Sequence, residues 1–386
     1  MKVRHLPAVV LTITILLQIF TTSRLSAQPA AAETAIEALM KEIPVAGLSV
    51  AVVRKGKVIY TRAFGYRVLE TREPLRTDHI FRIASISKSF TATSMMQQIE
   101  AGRVSLQDDV SSLAGFPVRN PLYPDRVITL EMLLSHRSSI NDSQGYFSLD
   151  AIDPSKNPNW KDGYNKYAPG EGYLYCNLNY NLAGAILERL SGERFDLYVK
   201  RHILDPLGLY GGYCVDSLDA GRFAQIYEYR MDSARFNPSP AAYNPRSAEI
   251  AVYERGRSTP VFSPTGGMKI SAGDLARYMV MHSRMGKYRG GRIMRKNSAE
   301  EIHRVRSEKE GYGLAIETSK KILPGIELRG HTGSAYGLYS AMFWQPKEGY
   351  GFVVISNGCH PGYSDGMNTV IRRTIGILYE SIIQKF

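Results

Sequence analysis

The sequence predicts an α/β (α+β) protein: one antiparallel sheet built from both chain termini, flanking helices, and a mostly helical region inserted between them. Three observations lead there. Strand-like alternation of apolar and polar residues lies near both ends, around 46–66 and 328–357, while helical spacing and polar loops fill the middle. The composition, 44% hydrophobic and 22% charged, is that of a globular protein. The 386 residues suffice for one large domain or two, without internal repeats or low-complexity tracts.

The chain opens on Lys2 and Arg4, followed by an apolar run from Leu6 to Phe20, polar residues to Arg24, and Leu25-Ser-Ala27. This is the layout of a secretory signal peptide cleaved after Ala27, so residues 1–27 are expected to be removed and the protein to be exported, periplasmic or secreted. The apolar run is short for a membrane span of about 20 residues, and no stable span is expected after cleavage. Losing the leader's three basic residues lowers the formal charge of +12 to about +9. The remaining Lys and Arg are spread along the chain, which reads as a solvated basic surface and gives no nucleic-acid motif.

Residues 32–41 have helical spacing, ended by Pro44. Segments 46–53 and 58–66 read as a hairpin turning at Arg54-Lys-Gly56, and a helix follows to about Glu100, stopped by Gly102. Further helical patterns occur near 130–135, 179–190 and 272–285. The stretches 141–172 and 232–263 are long and loop-like, as segments lining a site often are. Strands are expected at 328–332, 337–345 and 351–357, then a final helix over about 365–384. A cleft is expected where the inserted region meets the sheet.

Ser85-Ile-Ser-Lys88 places a serine and a lysine one helical turn apart at the start of the second helix. A serine hydroxyl attacks well only once a base takes its proton, and a lysine kept neutral can be that base. Chance alone would supply about one or two such spacings, so the context must decide. Tyr175-Cys-Asn177 is a Tyr-x-Asn unit: a phenol able to relay a proton if cations lower its pKa, and an amide that both donates and accepts. His331-Thr-Gly333 sits on a late strand, where glycine would let a substrate backbone approach. The N–H groups of Ser334 and Ser85 could form an oxyanion hole. Cys176, Cys214 and Cys359 are odd in number, so one at least is unpaired within the chain. No Cys-x-x-Cys or His-x-x-x-His spacing points to a metal.

In this order, the three motifs resemble those of the β-lactamase-related serine hydrolases, the superfamily of class C β-lactamases, D,D-peptidases and related esterases. Leu133-Leu-Ser-His-Arg-Ser-Ser-Ile140, Pro169-Gly170 and Gly266-Gly-Met-Lys-Ile-Ser-Ala-Gly-Asp274 resemble flanking segments of that family, and the likeness spans about residues 35–380. It implies a β-lactamase/transpeptidase-like domain over 28–386, with its α/β part at about 32–104 and 300–386 and the insertion at about 105–299. It implies Ser85 as nucleophile, Lys88 and Tyr175 sharing acid–base work, Asn177, His331, Gly333 and Ser334 around the substrate, and no metal or organic cofactor. The expected substrate is an ester, an amide or a D-amino-acid peptide, with peptidoglycan-derived peptides among the candidates. A true β-lactamase or D,D-carboxypeptidase, and an inactive peptidoglycan-binding scaffold, are the alternatives. His331 stands where those two enzymes usually carry a lysine, Ser139 replaces a usual glycine, and Cys176 fills a position where serine or alanine is usual. A mostly neutral histidine is a poor anchor for a substrate carboxylate.

Overall fold

The computed structural model describes residues 29–385, so the expected leader lies outside the described residues. A seven-stranded antiparallel sheet forms the centre. Its strands are β1 (Val45–Arg54), β2 (Lys57–Val68), β3 (Glu73–Pro74), β4 (Glu317–Leu323), β5 (Ile326–Ala335), β6 (Leu338–Trp344) and β7 (Tyr350–Cys359). They lie in the order β4-β5-β6-β7-β1-β2-β3, so the two chain ends meet at the β7–β1 pair.

Strand β1 is buried on both faces, and its period of two divides the core. Leu48, Val50 and Val52 pack with Ile36 of helix α1 (29–42) and with Val370, Ile371 and Ile375 of the C-terminal helix. Ala51 and Val53 belong to the opposite cluster, with Phe90 and Met95 of α2 (Ser87–Glu100), Ile186 of α3 (Asn177–Ser191) and Leu275 of α4 (Ala272–Ser283). The turn at Lys55-Gly56 takes φ of 49° and 74°, the left-handed pair that a two-residue hairpin requires.

The structure departs from the sequence expectations at several points. Strand β4 was not anticipated: Glu317-Thr-Ser-Lys-Lys is polar and half exposed at a sheet edge, so it lacks an apolar alternation. The C-terminal helix, α5 (Thr369–Leu378), starts later than expected, because Asn368 caps it by accepting from the N–H of Val370 and of Ile371. It then continues through a π-turn at Tyr379–Ile383. The loop at 141–172 carries short 3-10 turns at Leu149–Ile152 and Trp160–Gly163, and the 232–263 loop holds the helix Ser247–Ala251. All three cysteines are buried free thiols.

Candidate active site

Ser85 lies in a single 3-10 turn, Ala84–Ile86, just ahead of α2 rather than within it. Ala84 adopts φ of +46°, a left-handed conformation that disfavours a side chain bearing Cβ. Neighbours hold this turn in place. Ile83 donates its N–H to the Met268 carbonyl at 3.0 Å, and its own carbonyl accepts from Ser340 Oγ at 3.0 Å. Strand β5 presses against the turn: a Cβ on Gly333 would lie 2.2 Å from the Ile83 carbonyl oxygen and 2.4 Å from Ser340 Oγ. Gly333 is therefore needed for the strand to approach the Ser85 turn, where the sequence suggested room for a substrate. Strand β4 pairs with β5 only up to Gly330, so His331 to Ala335 present an unpaired edge. Ser334 is exposed on this edge.

Lys88 is fully buried, with Nζ 3.2 Å from Ser85 Oγ. The same nitrogen donates to Asn177 Oδ1 at 2.9 Å and to the Thr265 carbonyl at 3.1 Å. Burial holds the Lys88 pKa down at about 7, partly opposed by the Asp142 carboxylate. A neutral amine has two N–H donors and one lone pair. Asn177 and Thr265 engage both donors, leaving the lone pair for the Ser85 hydroxyl.

Asn177 is the first residue of α3, and the residue before it, Cys176, gives no side-chain cap. Asp142 supplies the cap from the loop at 141–172. Its carboxylate accepts from the backbone N–H of Asn177 at 2.8 Å and of Leu178 at 3.0 Å, and from Asn177 Nδ2 at 3.0 Å. Thr265 Oγ1 donates to Asn177 Oδ1 at 2.9 Å. The amide is thus fixed with its oxygen toward Lys88. The Cys176 thiol donates to Asp142, and burial pushes its pKa well up, so it is a packing residue.

The Tyr175 ring covers Lys88, with Nζ 4.6 Å from its centroid. Its hydroxyl is buried without a well-formed hydrogen bond, although proximity to Ser85 offsets part of the burial that raises its pKa. The sequence reading allowed for a phenol acidified by cations; burial raises its pKa instead, and Tyr175 is a protonated phenol. His331 lies at the far side of an aromatic cluster, its ring centroid 6.1 Å from that of Tyr175, with Nε2 3.1 Å from the Tyr312 hydroxyl. Burial holds its pKa at about 3, helped by Lys88. His331 is therefore neutral and offers no fixed positive charge.

Sequence reasoning missed Asp142, Thr265 and Tyr312. Only Asp142 left a signal: a helix starting at Asn177 with a cysteine in the cap position needs an acceptor from elsewhere.

With this geometry in view, comparison with known proteins is direct. The sequence matches the Beta-lactamase family over residues 32–375. The chain belongs to that family. It is 31% identical to Penicillin-binding protein 4* of Bacillus subtilis (strain 168) over 166 residues, which is 40% of this chain and 35% of that relative's length. Among solved structures it superposes on the octameric penicillin-binding protein homologue from Pyrococcus abyssi with a TM-score of 0.71 and 26% identity, covering 90% of this chain and 77% of that one. The D-amino acid amidase from Ochrobactrum anthropi SV3 shares the fold at a TM-score of 0.71 and 21% identity, covering 93% of this chain and 100% of that one. The β-lactamase fold, with its sheet drawn from both termini and a helical insert, is thus the fold of this chain, the serine-hydrolase fold of that family.

Proposed function

We propose that this β-lactamase-family hydrolase forms an acyl-enzyme at Ser85, with Lys88 as general base, on an ester, amide or D-amino-acid peptide. The observation that carries the reading is the buried Lys88 amine, 3.2 Å from Ser85 Oγ, with its pKa near 7 and both N–H donors engaged elsewhere. The Ser85 proton passes to Nζ as Oγ attacks the substrate carbonyl carbon. The N–H groups of Ser85 and Ser334 receive the developing oxyanion. Tyr175, protonated and above Lys88, hands a proton to the leaving group and regains it from Lys88. Water then attacks the acyl ester by the reverse proton path, and free Ser85 is restored. Asn177 orients Lys88 in every step.

The family relatives support the substrate class: one is named for penicillin binding and one for D-amino acid amide hydrolysis. The neutral His331 argues against a β-lactamase or D,D-carboxypeptidase that depends on a lysine there. A fluorophosphonate probe should add its mass to the peptide containing Ser85, and Ser85→Ala should abolish both labelling and ester turnover. Equal turnover by Ser85→Ala would overturn the mechanism. The leader-like start at Lys2 to Ala27 supports export, which N-terminal sequencing of the protein from a cell envelope or culture fraction would test.

A further inference from the structure

Arg82 precedes the nucleophile by three residues, on the two-residue strand Phe81–Arg82, and is only 7% exposed. A guanidinium carries five N–H donors and stays charged at any pH a protein survives. In this structure Nη2 reaches Ser263 Oγ at 3.3 Å, while Nε is buried with no partner. Among the described residues, its strongest electrostatic neighbours are the hydroxyl-bearing rings of Tyr336, Tyr243 and Tyr146 and a second cation, Arg246, with Lys88 and Lys269 also near it. No carboxylate is among them. A buried arginine is ordinarily paired, because an uncompensated charge removed from water costs stability.

Its position ties it to the reaction. A Cβ built on Gly266 would lie 3.4 Å from Arg82 Nη2 and 3.8 Å from the Ala84 carbonyl carbon. The guanidinium is therefore no more than roughly 7 Å from the residue before Ser85. It stands 5.1 Å from the ring centroid of Tyr336, which is exposed on the turn that follows β5. The cation thus lies near both the Ser85 turn and a rim residue reached from solvent. Lys269, also buried, donates to the Tyr213 carbonyl at 2.6 Å, and burial together with Arg82 pushes its pKa well down.

We propose that Arg82 is the anion anchor of this site, its free N–H donors receiving a carboxylate carried by the substrate, so that the enzyme selects carboxylate-bearing esters, amides or peptides over neutral ones. The anchor replaces the charge that His331 does not provide. The planar fork suits a carboxylate, which can accept from two N–H groups at once. With Arg82 no more than roughly 7 Å from the Ala84 carbonyl carbon, an anion a few methylenes from the scissile carbonyl falls within its reach. The proposal rests on the acyl-enzyme reading of Ser85.

The test compares two anionic esters with neutral counterparts: 4-nitrophenyl hydrogen glutarate against 4-nitrophenyl pentanoate, and 4-carboxyphenyl butanoate against phenyl butanoate. The first pair carries the anion on the acyl group and the second on the leaving group. The parent protein should favour the anionic member of one pair by about tenfold or more in kcat/KM. The favoured pair identifies which side of the substrate Arg82 holds. In Arg82→Gln the ratio within that pair should fall toward one, and Arg82→Lys should keep part of it. A ratio is read so that a partly folded variant does not mimic the effect. If the parent is labelled at Ser85 by a fluorophosphonate but shows no anionic preference in either pair, the anchor is refuted and the hydrolase reading survives. A preference that Arg82→Gln leaves intact also refutes it. If Ser85 takes no label and no ester is hydrolysed, both fall.

Discussion

Replacing Asp142 with asparagine removes one negative charge and nearly keeps the side chain's shape. Lys88 Nζ donates to Asn177 Oδ1 at 2.9 Å, and Asn177 Nδ2 donates to Asp142 Oδ2 at 3.0 Å. One amide separates the two charges, which are therefore roughly 7 Å apart. At an effective dielectric of about 20, unit charges at that distance interact by about 2.4 kcal/mol, or about 1.7 pKa units. Asp142 stabilises the ammonium form, so its removal lowers the Lys88 pKa below about 7. A general base works when deprotonated. Activity should therefore rise with pH through about 7 in the parent, and this acid limb should move down by between about one and two units in Asp142→Asn. The assay is the pH profile of kcat/KM on a chromogenic short-chain ester, which reports the free enzyme. The variant also loses part of the α3 cap, at a cost of about 1–2 kcal/mol. That loss lowers the amount of folded protein without shifting the midpoint of the limb. A limb that stays in place, or moves upward, would refute Lys88 as the base.

Tyr175→Phe should lower kcat by about 10²- to 10⁴-fold with little loss of stability, because the hydroxyl it removes is buried without a partner; thermal melts beside single-turnover kinetics check both halves. Gly333→Ala forces a methyl group to 2.2 Å from the Ile83 carbonyl, so it should cost about 1–3 kcal/mol in urea unfolding and displace the Ser85 turn, lowering kcat. Lys88→Met should abolish turnover, and its effect on stability should depend on pH. Below about 7 the parent buries a charged ammonium at full cost, and that cost shrinks as pH rises from about 7 toward the unfolded pKa near 10.5. The change in Tm, variant minus parent, should therefore be more positive at pH 6 than at pH 9; the opposite order would show that Lys88 is not depressed by burial.

The sequence alone determined the architecture and named the residues of the candidate site. Period-two segments at both ends, separated by helical spacing, require distant parts of the chain to share one sheet, and β7 paired with β1 is that sharing. Ser85, Lys88, Tyr175, Asn177 and His331 were legible because their spacing and order are local properties of the chain. Strand β4 was not, because a polar edge strand obeys its partner's backbone rather than its own apolar pattern. Asp142 was only indirectly legible: the helix start at Asn177 calls for a cap acceptor, but one supplied from 35 residues away leaves no local motif that names it. Only the tertiary structure decided the electrostatics. Whether Lys88 is a base, whether Tyr175 is acidified and whether His331 carries charge depend on how completely each is removed from water and on what faces it there. Arg82 without an ion-pair partner is a fact of the same kind: a sequence shows that an arginine is present, and only packing shows that no carboxylate among the described residues reaches it.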